Sequence, residues 1–523
     1  MPKFSRLSLF LGILTSSACI ASGVSAQVAS PSLQSLTQRE AQTAAWFDAN
    51  RDRPPALRAF VQRMPKGGDI HSHLAGAVYA EHYLEWAAAD GYCIDPETEV
   101  LVEPSACSQD SDYIPASELL NRTSVYDAVI NRWSTRYLEF AGQPGHDQFF
   151  EAFAGFDAIS SSPTRLDDMV AEVANRAASQ HINYLELMMT VQGSAARQLG
   201  REVGWNGDFA GTQRQLMERG LMDLVAKGSQ QFAELTQQVT NTMGCGTPSA
   251  QPGCSVTVHF LQQTSRTRSP AEVFAQFVYA FELAKADPSV VGINLVAPED
   301  HPIALRDYTL QMQMLQFLSR QNPDVKIALH AGELTLGLVP PDDLRFHIRQ
   351  AVEVAGADRI GHGVDVLYED RPFQLLEEMK RRGVLVEICL TSNEVILNVE
   401  GEEHPFREYW AAGVPMALAT DDEGISRIDL SNEYLLAATR YELGYRDLKR
   451  LARNSLEYSF AEGESLWQSP EFKAVVPACA NDVPGFNSLS PSCSAFLQEN
   501  DRARNQWQLE SEFTRFETLQ NWL

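Results

Sequence analysis

The sequence predicts a (β/α)8 TIM barrel, an α/β fold, and three observations carry the prediction. Eight short apolar or β-branched runs recur along the chain, at Gly68 to His73, Ile182 to Met188, Ser255 to Gln262, Val290 to Val296, Val325 to His330, Arg359 to Gly363, Val384 to Cys389 and Met416 to Asp421. Helix-like stretches separate most of them, among them Ala271 to Ala286, Tyr308 to Arg320, Pro341 to Ala355 and Arg371 to Arg382. Strands that alternate with helices build a parallel sheet, and eight such units close into a barrel. The runs also end in polar or glycine-containing sequence, and four endings carry histidines or acidic residues. A barrel of this kind places its active site at the C-terminal ends of its strands, so those endings are where the chemistry is read.

The remaining segments are taken in chain order. Lys3 and Arg6 precede the apolar run Leu7 to Ile20, and Val24-Ser25-Ala26 offers small residues for cleavage before Gln27. Residues 1–26 therefore read as an export signal, which implies a periplasmic or secreted protein. Lipidation at Cys19 is the weaker reading, because Ser16-Ser17-Ala18 lacks the usual large aliphatic residue. Residues 27–63 form a helical N-terminal extension. The barrel itself spans 64–463, with a loop-rich insertion at about 87–121 and a long helical one at about 192–253. Residues 464–523 make a C-terminal tail. No later stretch is apolar for long enough to span a bilayer, so no membrane association is expected after cleavage.

Composition narrows the partners. The 523 residues hold 42 Lys+Arg against 68 Asp+Glu, a formal charge of −26. With no local basic patch, such a surface repels phosphate, which excludes nucleic acid and anionic membranes as partners. Six of the eight cysteines fall into close pairs in polar, Gly/Pro/Ser-rich loops, Cys93 with Cys107, Cys245 with Cys254, and Cys479 with Cys493. Local disulfides in an oxidising compartment are the natural reading. Cys389 lies in an apolar run and reads as a buried free thiol.

The strand endings carry the chemistry. Alternation along the first strand points His71 and His73 to the same side, into the barrel mouth, where both can hold one metal. The fifth run ends His330-Ala331-Gly332-Glu333, the sixth holds Gly361-His362-Gly363, and the eighth ends Thr420-Asp421-Asp422. Three histidines and an aspartate, without a thiolate, suit zinc with an open position for water. A two-metal site on this scaffold generally needs a lysine from a middle strand, and Gly292 to Ala297 has none, so one zinc per subunit is expected. Zinc lowers the pKa of its bound water toward about 7, and Glu333 is the carboxyl left over to supply a proton.

The order and spacing of Met64-Pro65-Lys66-Gly67-Gly68-Asp69-Ile70-His71-Ser72-His73-Leu74, His330-Ala331-Gly332-Glu333, Arg359-Ile360-Gly361-His362-Gly363, Thr391-Ser392-Asn393 and Thr420-Asp421-Asp422 resemble the adenosine deaminase family from about residue 64 to residue 460. The export signal, the N-terminal extension and the cysteine-bearing insertion resemble its secreted branch, the adenosine deaminase growth factors. The resemblance implies that His71, His73, His330 and Asp421 bind zinc. It implies that Glu333 protonates purine N1 and that His362 orients the zinc-bound water and accepts its proton. Asp422 would hydrogen-bond N7, with Ala297 and Gly332 as further substrate contacts. The implied reaction converts adenosine, and 2′-deoxyadenosine, to inosine-type product and ammonia. The secreted branch is commonly dimeric, which makes a homodimer the resemblance-based expectation.

Three positions depart from the family pattern. Ala75 stands where smaller members carry an aspartate for the ribose 5′-hydroxyl, Ala297 where a glycine meets purine N3, and Glu423 where a proline commonly follows the aspartate pair. These keep open a deaminase of adenine or of another modified purine nucleoside. A growth-factor-like binding protein is the rival from a different class. Trp86, Trp133 and Phe149-Phe150-x-x-Phe153 read as core packing ahead of a lid, His146 as a loop histidine, and Arg266 and Arg268 as capping or ion-pairing residues. Asn121-Arg122-Thr123 matches a glycosylation sequon.

Overall fold

The computed structural model describes residues 33–107, 112–485 and 489–519. The expected export signal, with Cys19, lies outside the described residues.

Eight parallel strands form one sheet that follows the chain order. We number them β1 (Gly67–His73), β2 (Ile182–Met189), β3 (Thr257–Ser265), β4 (Val290–Val296), β5 (Ile327–Ala331), β6 (Arg359–His362), β7 (Leu385–Ile388) and β8 (Met416–Leu418). The ring closes where Ser72 bridges Asp421: His73 N donates to Asp421 O at 3.0 Å, and Asp421 N to His71 O at 2.9 Å. This is the (β/α)8 barrel expected, and most strand residues are buried, those of β2, β5, β6, β7 and β8 throughout.

Most boundaries shift by one or two residues from the expectation, and four differences have a local reason. β3 starts two residues later because Pro252–Ser255 forms a 3-10 turn, and it runs three residues further, to Ser265. β8 ends at Leu418, beyond which the chain turns until Asp421, at φ 61°, makes the closing bridge. The helix expected from Tyr308 to Arg320 runs from Pro302 to Ser319, starting six residues earlier with Pro302 in its first turn. The stretch 341–355 is a broken helix, 3-10 at Asp343–Arg345, α at His347–Gln350 and π-type at Ala351–Ala355, and this break swings His347 beneath the active-site rim.

The additions pack on the barrel. Residues 87–121 include a small antiparallel sheet (Cys93–Ile94, Leu101–Val102, Ile114–Pro115). Three helices, Gly193–Val203, Phe209–Glu218 and Leu221–Thr242, make up the second insertion. The three cysteine pairs are bonded as expected, and Cys389 is free and buried. At the N-terminal end of the barrel, the extension helix Pro54–Arg63 meets the C-terminal helix Asp501–Leu519 through Phe60 and Phe516, whose ring centroids lie 5.1 Å apart. Asn505 receives Asn183 Nδ2 at 2.9 Å and Thr257 Oγ1 at 3.0 Å, which ties that helix under β2 and β3. The C-terminal stretch therefore closes the barrel floor, leaving the opposite rim for chemistry. Among the described residues, no helix is long and apolar enough to cross a membrane.

Candidate active site

At the C-terminal rim, β1 delivers His71 and His73, β5 delivers His330, and the turn after β8 delivers Asp421. His73 Nε2 lies 3.1 Å from His330 Nε2 and 3.2 Å from Asp421 Oδ1, while His71 Nε2 lies 3.4 Å from that same oxygen. Ligand atoms about 2.0–2.1 Å from a tetrahedral ion sit roughly 3.4 Å from one another, which these three spacings match. Donor atoms within 4.8 Å of one another group as His71, His330, His362 and Asp421, and as His73, Asp421 and Asp422. His71 Nε2 is buried and makes no hydrogen bond. An orphaned imidazole nitrogen beside a carboxylate is the arrangement a metal completes.

The far side of each imidazole is held from behind. His71 Nδ1 is 2.5 Å from Glu387 Oε2, and His330 Nδ1 is 2.8 Å from Asn294 Oδ1. His73 Nδ1 is 2.6 Å from the Gln263 amide, and Ser392 Oγ donates to Asp421 Oδ2 at 2.7 Å. Glu387 also meets Arg359 Nε at 2.6 Å, and Arg359 reaches Glu186 at 2.5 Å while lying 3.7 Å over the ring of Phe460. A fully buried ionic chain thus braces the first ligand.

The electrostatics ask for a cation. Burial works against charge on His71, but the carboxylates of Glu387 and Asp421 outweigh it and raise its pKa to about 10. Burial likewise resists ionisation of Asp421, but hydrogen bonds from His71 and His73 hold it well below the usual carboxylate range. Without an ion, a proton on His71 supplies the positive charge that this donor set is built around. Burial, with His71 and His73 nearby, holds His330 as the neutral imidazole a ligand must be.

Glu333 and His362 stand beside this centre, with Glu333 Oε1 3.6 Å from His362 Nε2. Burial, then the charges of Asp421 and Glu299, push the Glu333 carboxyl well above its ordinary range, so it is a proton donor at neutral pH. Burial lowers His362 to about 4. Burial and the adjacent Asp421 raise Asp422 well above its ordinary range as well. Gly76 makes room for it, since a side chain there would put Cβ 1.6 Å from Asp422 Oδ1.

A cavity of about 940 Å³ opens onto the centre and includes His73, His330, Glu333, Asp421, Asp422 and Ala297 in its wall. Ala297 keeps the left-handed backbone, φ 85°, that a glycine adopts freely. Gly332, also expected to touch substrate, is not in the wall. Its φ of +77° and the 2.5 Å from an added Cβ to Asp365 Oδ1 show a tight turn that carries Glu333 inward.

Phe149, Phe150 and Phe153 pack in the core as expected and also line the cavity, whereas Trp133 is fully buried and donates to Glu99 O at 2.6 Å. His146 lies in the first turn of helix Gly145–Ser160, paired with Asp147 and Asp300. Arg266 is fully buried, donates to the carbonyls of Leu295 and His330, and lies 3.5 Å from Glu299.

Sequence reasoning assigned no role to Glu387, Arg359, Asn294, Gln263, Glu299 or His347. Glu299 accepts Glu333 N–H at 2.9 Å and meets His347 Nδ1 at 2.7 Å, which pins the loop carrying the proton donor. Glu387 and Glu186 had a signal, a lone acid inside an apolar strand. Gln263 fell one residue past the expected end of its strand.

Three imidazoles and a carboxylate at the C-terminal rim of a parallel barrel, with a neutral acid beside them, define a metal-dependent hydrolase. The family model described as adenosine deaminase matches residues 125–466, and the chain belongs to the adenosine deaminase family. The adenosine deaminase of Clostridium perfringens is 23% identical over 402 residues, covering 76% of this chain and 94% of that protein. A crystal structure of Arabidopsis ADAL complexed with IMP is similar at a TM-score of 0.50 and 21% identity, over 77% of this chain and 94% of that one. A cog1816 amidohydrolase from Burkholderia ambifaria, with bound Zn, reaches a TM-score of 0.50 at 18% identity, over 78% and 88%. These two likenesses show a shared fold.

Proposed function

We propose that the protein is an exported, zinc-dependent adenosine deaminase, converting adenosine and water to inosine and ammonia. The observation that carries this reading is a pair of buried carboxyls, Glu333 and Asp422, both raised well above the ordinary carboxylate range by burial and neighbouring carboxylates, in one cavity with the four-donor cluster. Ring nitrogens of a purine are acceptors, so a partner that holds N1 and N7 has to bring hydrogens, which ionised carboxylates lack.

His71, His73, His330 and Asp421 would hold zinc, which when bound makes water acidic enough to act as a nucleophile at neutral pH. Glu333 gives its proton to N1, which draws electron density from C6 as water adds there. Asp422 holds N7 and sets the ring plane, and the backbone at Ala297 closes on the opposite edge. His362 orients the incoming water. Of the two protons of the water, one passes to the amino group, which leaves as ammonia when the C6 adduct collapses to a carbonyl, and the other restores Glu333, while the proton given to N1 stays on the product.

A second reading, a larger or modified purine, is favoured by one feature. The cavity continues past Ala75 to Arg197, leaving room and a cationic side chain beyond the ribose position. A pure binding role explains neither the neutral Glu333 nor its placement opposite His362. Export rests on the pattern of residues 1–26 and is supported by the three disulfides, which suit an oxidising compartment. A homodimer is the assembly the secreted-branch resemblance suggests, and light scattering of purified protein tests it.

The deciding experiment is turnover of adenosine, 2′-deoxyadenosine, adenine, AMP and an N6-substituted adenosine by mature protein, before and after chelation and zinc reload. Zinc-restored conversion of adenosine above the others supports the main reading. Preference for AMP or the N6-substituted substrate moves the assignment to the second, and a zinc-loaded protein inert on all five returns it to a binder.

A further inference from the structure

His404 is buried just before helix Phe406–Ala412, and its ring faces Asn393 rather than the cavity. Its position sets the hydrogen of another ring. The backbone N–H of Phe406 donates to His404 Nδ1 at 3.1 Å, and a backbone amide can only donate. Nδ1 of His404 is therefore an acceptor, and in the neutral ring the hydrogen resides on Nε2. That Nε2–H points at Asn393 Oδ1, 3.1 Å away. With its oxygen so occupied, Asn393 turns its amino group to His362 Nδ1, where it donates at 2.9 Å. Nδ1 of His362 is then an acceptor as well. Burial favours the neutral form of His404, lowering it to about 3. A neutral His362 in this chain carries its hydrogen on Nε2, the atom that faces Glu333.

We propose that His404 is a positioning residue that acts through Asn393 to lock His362 as an Nε2–H donor toward the reacting water. The three other site imidazoles present Nε2 as the inward atom too, but His71 and His330 have oxygen acceptors behind Nδ1 where His362 has an amino donor. The backing partner thus separates His71 and His330 from His362, although all three nitrogens lie close together, whereas His73 Nδ1, like that of His362, faces an amide nitrogen, that of Gln263. The relay also narrows what was expected of His362. Taking a proton onto Nδ1 would set an N–H against the Asn393 amino group, so its ground-state role is to give a hydrogen bond. This rests on the deaminase reading for the identity of the water, but the tautomer itself does not.

The test has two arms. In the first, metal-free protein with 15N-labelled histidine reports ring tautomers by NMR. The parent and His404→Gln, whose amide accepts from Phe406 N–H and donates to Asn393, should show His362 as the Nε2–H form alone. His404→Phe should show both forms, and Asn393→Asp, which accepts on both sides, the Nδ1–H form. In the second arm, zinc-loaded proteins are assayed on the substrate the parent turns over. A histidine in the wrong tautomer costs a serine protease about 10⁴-fold in kcat, so Asn393→Asp should lose on the order of 10²–10⁴-fold with KM unchanged, His404→Phe at least about 10-fold, and His404→Gln little. A His362 still in the Nε2–H form in Asn393→Asp, or that variant turning over at the parental rate, would overturn the inference. Should His404→Phe fail to fold, His404→Gln and Asn393→Asp still decide it. A parent inert toward every purine, with the tautomer pattern intact, would sink the deaminase reading and leave the relay standing.

Discussion

Glu387→Gln tests how the buried ionic chain serves the metal. Glu387 receives His71 on one oxygen at 2.5 Å and Arg359 on the other at 2.6 Å, and no part of either contact reaches solvent. Glutamine keeps the volume and an acceptor oxygen for His71 but removes the charge that makes the imidazole a stronger donor to a cation. Changing such an outer partner costs about 10–100-fold in metal affinity. At about 1.36 kcal/mol per tenfold, that is roughly 1.4–2.7 kcal/mol, and full burial puts this site toward the upper end. The fold should survive, because Arg359 keeps Glu186 at 2.5 Å and the carbonyls of Tyr458 and Ile70. The assay titrates zinc-loaded protein with a chelator of known affinity, with circular dichroism melting alongside. The expected result is a 10–100-fold lower chelator midpoint with a native spectrum. A midpoint equal to the parent's would refute the claim that the Glu387 charge tunes His71. Arg359→Met is the contrast: it leaves two buried carboxylates without their guanidinium and should lose about 3–5 kcal/mol in denaturant unfolding.

Glu333→Gln should retain zinc and melting behaviour but lose turnover by at least about 10²-fold, and metal analysis beside a rate assay would expose any loss due to zinc instead. Since the protonated Glu333 is the working form and its pKa is raised by burial, Asp421 and Glu299, kcat should fall as pH rises through that raised value. The same shift has a stability consequence of opposite sense to a salt-bridged acid: its contribution is full below about 4.5 and is lost as pH climbs toward the folded-state pKa, readable as a falling Tm. Gly76→Ala drives Cβ into Asp422 and should cut kcat/KM about 10–100-fold with zinc content unchanged, the worth of one hydrogen bond from a held donor. Ala297→Gly removes about 1–2 kcal/mol of left-handed strain against about 0.5–1 kcal/mol of added chain entropy, so denaturant unfolding should show equal or slightly greater stability, and a clear loss would contradict the strain assignment.

The strands were legible because most of their residues are buried, and buried strands stand out as short runs rich in apolar residues whatever their neighbours. The metal set was legible for a related reason. A barrel reads its site from strand ends, and His71, His73, His330 and Asp421 each sit at one. Cysteine pairing was readable because each pair is local, 9 or 14 residues apart. Other features left little trace. Pro341 to Ala355 has helical composition, yet packing breaks it into three kinds of turn to place His347 on Glu299. The stretch after residue 463 reads as a tail, and its role as the barrel floor depends on meeting Asn183 and Thr257.

The sequence alone determined the alternation, the residues on the catalytic rim and the chemistry they can support, because backbone period and side-chain type act over a few residues. Tertiary structure decided what stands behind each of them. His71 meets Glu387 across 316 positions and Glu333 meets Glu299 across 34, and only closure of the barrel sets those distances. Protonation follows from the same source, since burial and the charges of distant strands make Glu333 an acid, Asp421 an anion and His362 a neutral ring.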